Sequence, residues 1–132
     1  MRINALISNI TAGTPVNLGV ALCPGLVANN AALAAANAIQ VNRIDIQMGF
    51  GGTVGVGYYM DLAGFVPGTV ANKATAGHLT QQLAPGTASV PGATFTDMSG
   101  GIQSGAPRDL TRIWIDVATT NAPVIVSVDL KV

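Results

Sequence analysis

The segment Arg112-Ile113-Trp114-Ile115-Asp116-Val117 and the closing run Val124-Ile125-Val126-Ser127-Val128-Asp129-Leu130-Lys131-Val132 decide the fold. Ile113, Ile115 and Val117 fall on one side of the first, with Arg112, Trp114 and Asp116 on the other. In the second, Val124, Val126, Val128, Leu130 and Val132 oppose Ile125, Ser127, Asp129 and Lys131. Such period-two alternation marks a strand with one buried face. Asn121-Ala122-Pro123 between them reads as a turn, because Pro123 fixes φ and ends pairing. The two runs are expected to form a hairpin.

The same pattern recurs upstream. Ile44, Ile46 and Met48 alternate with Arg43, Asp45 and Gln47, and Val54, Val56, Tyr58 and Met60 follow Gly49-Phe50-Gly51-Gly52. A second hairpin is expected there, with glycines supplying the φ values of a tight connection. Gly55 and Gly57, inside the second strand, point to the close approach of another backbone. Val16, Leu18, Val20 and Leu22 alternate with small or polar residues and predict a further strand. Weaker strands are read at Arg2–Ile10, Leu79–Leu83 and Thr87–Thr96, the last two beside prolines that suit sheet edges. One short helix is expected near 29–37, where Asn30 could cap an alanine run. Gly/Pro/Thr-rich loops fill Ala63–Gly77 and Ser99–Pro107.

Seven to eight short strands in 132 residues predict a single all-β domain, a β-sandwich. A jelly roll is the first choice and an immunoglobulin-like arrangement the second. The Cys–Trp–Cys hallmark of the latter is missing, since only Cys23 and Trp114 exist.

Composition narrows the function. Six Lys+Arg balance six aspartates, no glutamate is present, and 9% of residues are charged against 49% hydrophobic. Roughly 25% charge is usual for a soluble domain. A neutral surface rich in small residues suits a chain held against neighbours over much of its area, and a homo-oligomer is expected. Zero net charge speaks against a nucleic-acid partner, which needs a basic face. No membrane association is expected either, because Asn and Pro interrupt every apolar window of Ile3–Asn42, and no signal peptide is read. A lone cysteine allows no internal disulfide.

Catalytic raw material is thin, and the chain is read as a non-enzyme without metal or cofactor. A Cys23–His78 dyad would need base and thiol together, but Cys23 alternates with Gly19 and Ala21 like a packing residue. The aspartates are too scattered for a calcium loop or a glycosidase pair, and ion pairing or solvation is their expected role. The glycines at 49–57 lack a helix N-terminus and a Gly-Lys-Ser/Thr ending, so they form no phosphate loop. The candidate interface residues are Trp114, Arg112, Tyr58 and Tyr59. Trp114 has two readings: it faces outward as a contact residue, or a second layer of the same domain covers it. Tyr58-Tyr59 puts one ring on each face of its strand, and a sugar platform built on these aromatics is the functional alternative.

From about Ile39 onward the chain resembles the small head decoration, or cement, proteins of tailed bacteriophages. The elements that carry this are Ile44-Asp45-Ile46-Gln47, the glycine turn, the tyrosine strand ending at Asp61, Leu83-Ala84-Pro85-Gly86, and Asp109-Leu110-Thr111-Arg112-Ile113-Trp114-Ile115-Asp116 with the closing valine strand. The resemblance covers roughly two-thirds of the chain, and its elements also occur in tail and fibre modules. It implies a jelly-roll-like virion protein, often a trimer, that binds across major capsid protein junctions on the capsid exterior and stabilises the head. Residues 1–38 lie outside it and are read as an arm for capsid binding or subunit exchange. Two alternatives are a fibre- or spike-type module that recognises carbohydrate or a receptor, and a small self-assembling coat protein.

Overall fold

Alternating residues need two apolar surfaces facing each other, and the chain supplies them as two antiparallel sheets. In the computed structural model, which describes residues 1–23, 39–49, 55–61, 81–98 and 108–131, one sheet runs β1-β9-β3-β6 and the other β2-β8-β4-β5. The strands are β1 (Arg2–Ile7), β2 (Val16–Asn17), β3 (Gln40–Met48), β4 (Gly57–Asp61), β5 (Gln81–Leu83), β6 (Thr94–Asp97), β7 (Arg108–Asp109), β8 (Ile113–Val117) and β9 (Val124–Leu130). β7 is a two-residue addition that pairs with the start of β3. Helix α1 (Leu18–Leu22) and a 3-10 turn (Leu110–Arg112) complete the described elements.

With β7 set aside, the pairings are nested. The first strand bonds the last (β1–β9), the second the penultimate (β2–β8), the third β6, and β4 its neighbour β5. One long hairpin has been wrapped so that its strands fall on two sheets. This is jelly-roll order, and the all-β sandwich expected from the alternation is what the chain forms.

Neither expected hairpin exists. β3 and β4 lie in different sheets, and so do β8 and β9. β8 and β9 are joined by a connection at 118–123 that crosses from one sheet to the other and bends at Asn121 (φ 65°), with Ala122 N–H on Thr119 O at 3.0 Å. An alternating strand buries its apolar face equally well beside its sequence neighbour or across the core from it. Alternation therefore fixes the face and leaves the partner open. Gly57 shows the consequence. Its close neighbour is no backbone but the side chains of Met48 and Leu83, which fill the space where a Cβ would stand.

The core lies between the inner faces. Val41, Ile44, Ile46 and Met48 of β3 and Val124, Val126 and Val128 of β9 meet Tyr59, Leu83, Ile113, Ile115 and Val117 of the other sheet. Burial of each such side chain is worth roughly 1.5–3 kcal/mol before chain entropy is set against it. The β3–β9 register slips between Val41 and Arg43, a bulge that places exposed Asn42 outside the ladder and returns Ile44 to the core.

The strand expected over Val16–Leu22 stops after two residues and becomes α1. Asn17 is the cause: its side chain accepts from Val20 N–H at 3.2 Å as an N-cap and donates to Thr111 O at 2.7 Å. Leu18 is then buried and Val20 is turned out at 41% exposure. The described helix thus lies at 18–22. The helix expected near 29–37 lies outside the described residues, as do positions 50–54 of the glycine turn and both long loops, 63–77 and 99–107.

Candidate functional site

The outer face of the β1-β9-β3-β6 sheet is a grid set by strand register. Pairings align Arg2 with Asp129 and Asp129 with Arg43 in one row. The next row is Asn4, Ser127, Asp45 and Thr96, and the third is Leu6, Ile125, Gln47 and Thr94. Charge at one end thus grades through hydroxyl and amide groups to two adjacent aliphatic side chains, Leu6 at 64% exposure and Ile125 at 39%.

Asp45 organises the polar part. Its carboxylate accepts from Arg43 Nε at 2.9 Å, Thr96 Oγ at 2.6 Å and Arg2 Nη2 at 3.3 Å. Arg2 also donates from Nε to Ser127 Oγ at 2.7 Å, and the Ser127 hydroxyl donates in turn to Asn4 Oδ1 at 2.6 Å. Arg2 Nη1 lies 3.6 Å from Asp129. Two arginines and two aspartates cancel within the face, around a shallow trough of about 460 Å³. The chemistry available here is hydrogen bonding and contact: exposed ion pairs of this kind contribute at most about 1 kcal/mol each to stability.

The residues expected at an interface are placed elsewhere. Tyr58, Trp114 and Asp116 sit on the outer side of the second sheet, where Tyr58 pairs with Asp116 in the register. Trp114 is 5% exposed, so of its two readings the covered one holds within the single chain. Tyr59 points inward and is fully buried; its ring packs on Phe95 (centroids 5.0 Å apart) and its hydroxyl donates to Asp97 of the facing sheet. Arg112 ends the 3-10 turn, half-buried, rather than sharing the strand face of Trp114. Tyr58, Tyr59 and Trp114 therefore form no joint exposed platform.

Asp116 is fully buried, and its Oδ1 accepts from Gly13 N–H at 3.0 Å and Val117 N–H at 2.8 Å. It is neither solvated nor ion-paired in the way expected of the aspartates; it pins the 11–14 turn to β8. Burial pushes the Cys23 thiol up, which disfavours the thiolate a nucleophile requires. His78 lies outside the described residues, so the dyad does too. Among the described residues no group of three His, Cys or Asp side chains could hold a metal ion, and no helix is long and apolar enough to cross a membrane.

The outer grid was half visible in advance. Arg43, Asp45 and Gln47, and Ile125, Ser127 and Asp129, each read as one face of a strand, but that they are neighbours depends on the β3–β9 pairing, which the local pattern does not encode. Comparison with protein-family models, curated proteins and solved structures finds no match to this chain.

Proposed function

We propose that this chain is a structural virion protein, a head decoration or cement protein that binds across major capsid protein junctions and stabilises the shell. The observation that carries the reading is the outer sheet face, broad and with its charges cancelled internally. It sits on a jelly roll, an architecture recurrent in viral capsid and lectin domains. A surface of this kind can crowd against many copies without long-range repulsion, and it needs no reaction centre. Whatever binds only the intact shell stabilises it by mass action. The lectin-like alternative draws no support from the tyrosines and Trp114, since Tyr59 and Trp114 are buried.

The test is co-sedimentation of the purified chain with heads assembled from the accompanying major capsid protein alone, followed by calorimetry of the heads. Saturable binding and a higher melting temperature of the shell are expected. Heads that neither bind the chain nor gain stability would overturn the proposal. Closed particles formed by the chain alone would replace it with the coat-protein reading.

A further inference from the structure

We infer that β1 is a self-association edge, pairing antiparallel with β1 of a second copy about a two-fold axis at Asn4. The inference needs only the strand and its sequence, and it stands whether or not the protein belongs to a virion.

Among the described residues β1 ends its sheet, and its six residues make it longer than the other terminal strands, β2, β5 and β6. Of the devices that blunt natural edges, β1 has no proline, bulge or inward charge and is not short; its one charge, Arg2, lies on the outer face. Leu130 N–H donates to Met1 O at 2.8 Å, so Met1 and Leu130 form a directly bonded pair. With the observed register, the alternation of antiparallel ladders then gives Ile3, Ala5 and Ile7 to β9. The N–H and C=O groups of Arg2, Asn4 and Leu6 turn to the open side.

The sequence of β1 complements itself in that orientation. With Asn4 opposite the partner's Asn4, Arg2 lies opposite the partner's Leu6, and Ile3 opposite the partner's Ala5. Large faces small on the inner side. On the outer side the exposed Leu6 covers the methylene stem of the partner's Arg2, and no two like charges meet. The same register brings the partner's Met1 opposite Ile7. Beside Ile7 lies a groove of about 370 Å³ between β1 and α1, lined by Ala5, Ile7, Val16, Val20 and Leu22. Met1, 68% exposed in the single chain, is the side chain that fills it. The result is one continuous sheet, β6-β3-β9-β1 joined to its copy through six backbone hydrogen bonds.

Sedimentation equilibrium of the full chain tests this with two opposite charges at one exposed site. Leu6→Lys sets an ammonium against the partner's Arg2 twice per dimer, and Leu6→Glu sets a carboxylate there. Like charges directly opposite destabilise a strand pair and unlike charges stabilise it. The wild-type chain is expected to be a dimer, L6K to dissociate about tenfold more readily, and L6E to remain dimeric. A monomeric wild type, a trimer that ignores both substitutions, or equal weakening by both would overturn the inference. Asn4→Cys in a Cys23→Ala background gives a second measurement. Directly bonded antiparallel pairs place their Cα atoms about 5.5 Å apart, within disulfide reach, so mild oxidation should give a covalent dimer. A dimeric protein that fails to cross-link at Asn4 would refute the register.

Discussion

Asp116 is the side chain whose removal isolates one effect most cleanly. Its Oδ1 is the acceptor for two backbone N–H groups, one in the 11–14 turn and one in β8, and Oδ2 has no hydrogen-bond partner among the described residues. Buried donors stripped of an acceptor cost about 1–3 kcal/mol. Asp116→Ala is expected to destabilise the fold by about that amount in urea unfolding, at unchanged m-value. Asp116→Asn keeps an acceptor oxygen for both N–H groups and should fall between Ala and wild type. An alanine variant as stable as wild type would show that the turn does not depend on this carboxylate. Tyr59 plays the matching part across the core, where its hydroxyl reaches Asp97 on the opposite sheet and ties the two layers together. Period-two alternation revealed that Tyr58 and Tyr59 face opposite ways. Which of them is inward followed only from the pairing of β4 with β8, which aligns Tyr59 with Ile115.

At the scale of elements, glycines record where segments distant in sequence press together. A Cβ on Gly92 would overlap the carbonyl oxygen of Ala84, and Gly92 N–H donates to Met48 O at 2.8 Å. The loop between β5 and β6 is thereby locked against the end of β3. A backbone oxygen cannot step aside as a methionine sulfur can, so Gly92→Ala should cost more than Gly57→Ala, whose nearest obstacle is the thioether sulfur of Met48 on an adaptable, unbranched side chain. Overpacking costs typically about 1–3 kcal/mol, and Gly92→Ala is expected at the upper end, with Gly57→Ala lower by about 1 kcal/mol in thermal unfolding. The reverse ranking would mean that the loop yields more easily than the core. These elements also show how far the sequence could be read. The faces of β3 and β9 were legible because each buries its alternate apolar residues, and that of β8 because Ile113, Ile115 and Val117 alternate, although all five of its residues are buried; the sandwich followed from the number of strands. Their partners were not, since the nested pairing joins residues as distant as Arg2 and Asp129. The helix at 18–22 was hidden for a different reason: Leu18 and Leu22 fit both a period of two and a spacing of four. Only Asn17, a capping residue directly before the run, marked the difference.

For the whole molecule, charge decides how it meets other surfaces. Twelve charged side chains of opposite sign cancel over 132 residues. On the outer sheet face Arg2, Arg43, Asp45 and Asp129 also cancel locally, leaving little field beyond the face itself. Steering of an approaching partner depends on such a field and collapses with ionic strength, whereas burial of Leu6, Ile125, Val20 and Met1 does not. Association of this chain, with its own copy or with a shell, is therefore expected to change by less than about threefold between 50 and 500 mM sodium chloride, a range over which the screening length shortens from roughly 14 to 4 Å. Ammonium sulfate should tighten it instead, because excluded salts favour burial of apolar surface. Light scattering or sedimentation across both salt series reads the two effects together. Dissociation that rises tens of fold in sodium chloride would assign the recognition to ion pairs across the interface, and the internal cancellation around Asp45 would then have to open on binding.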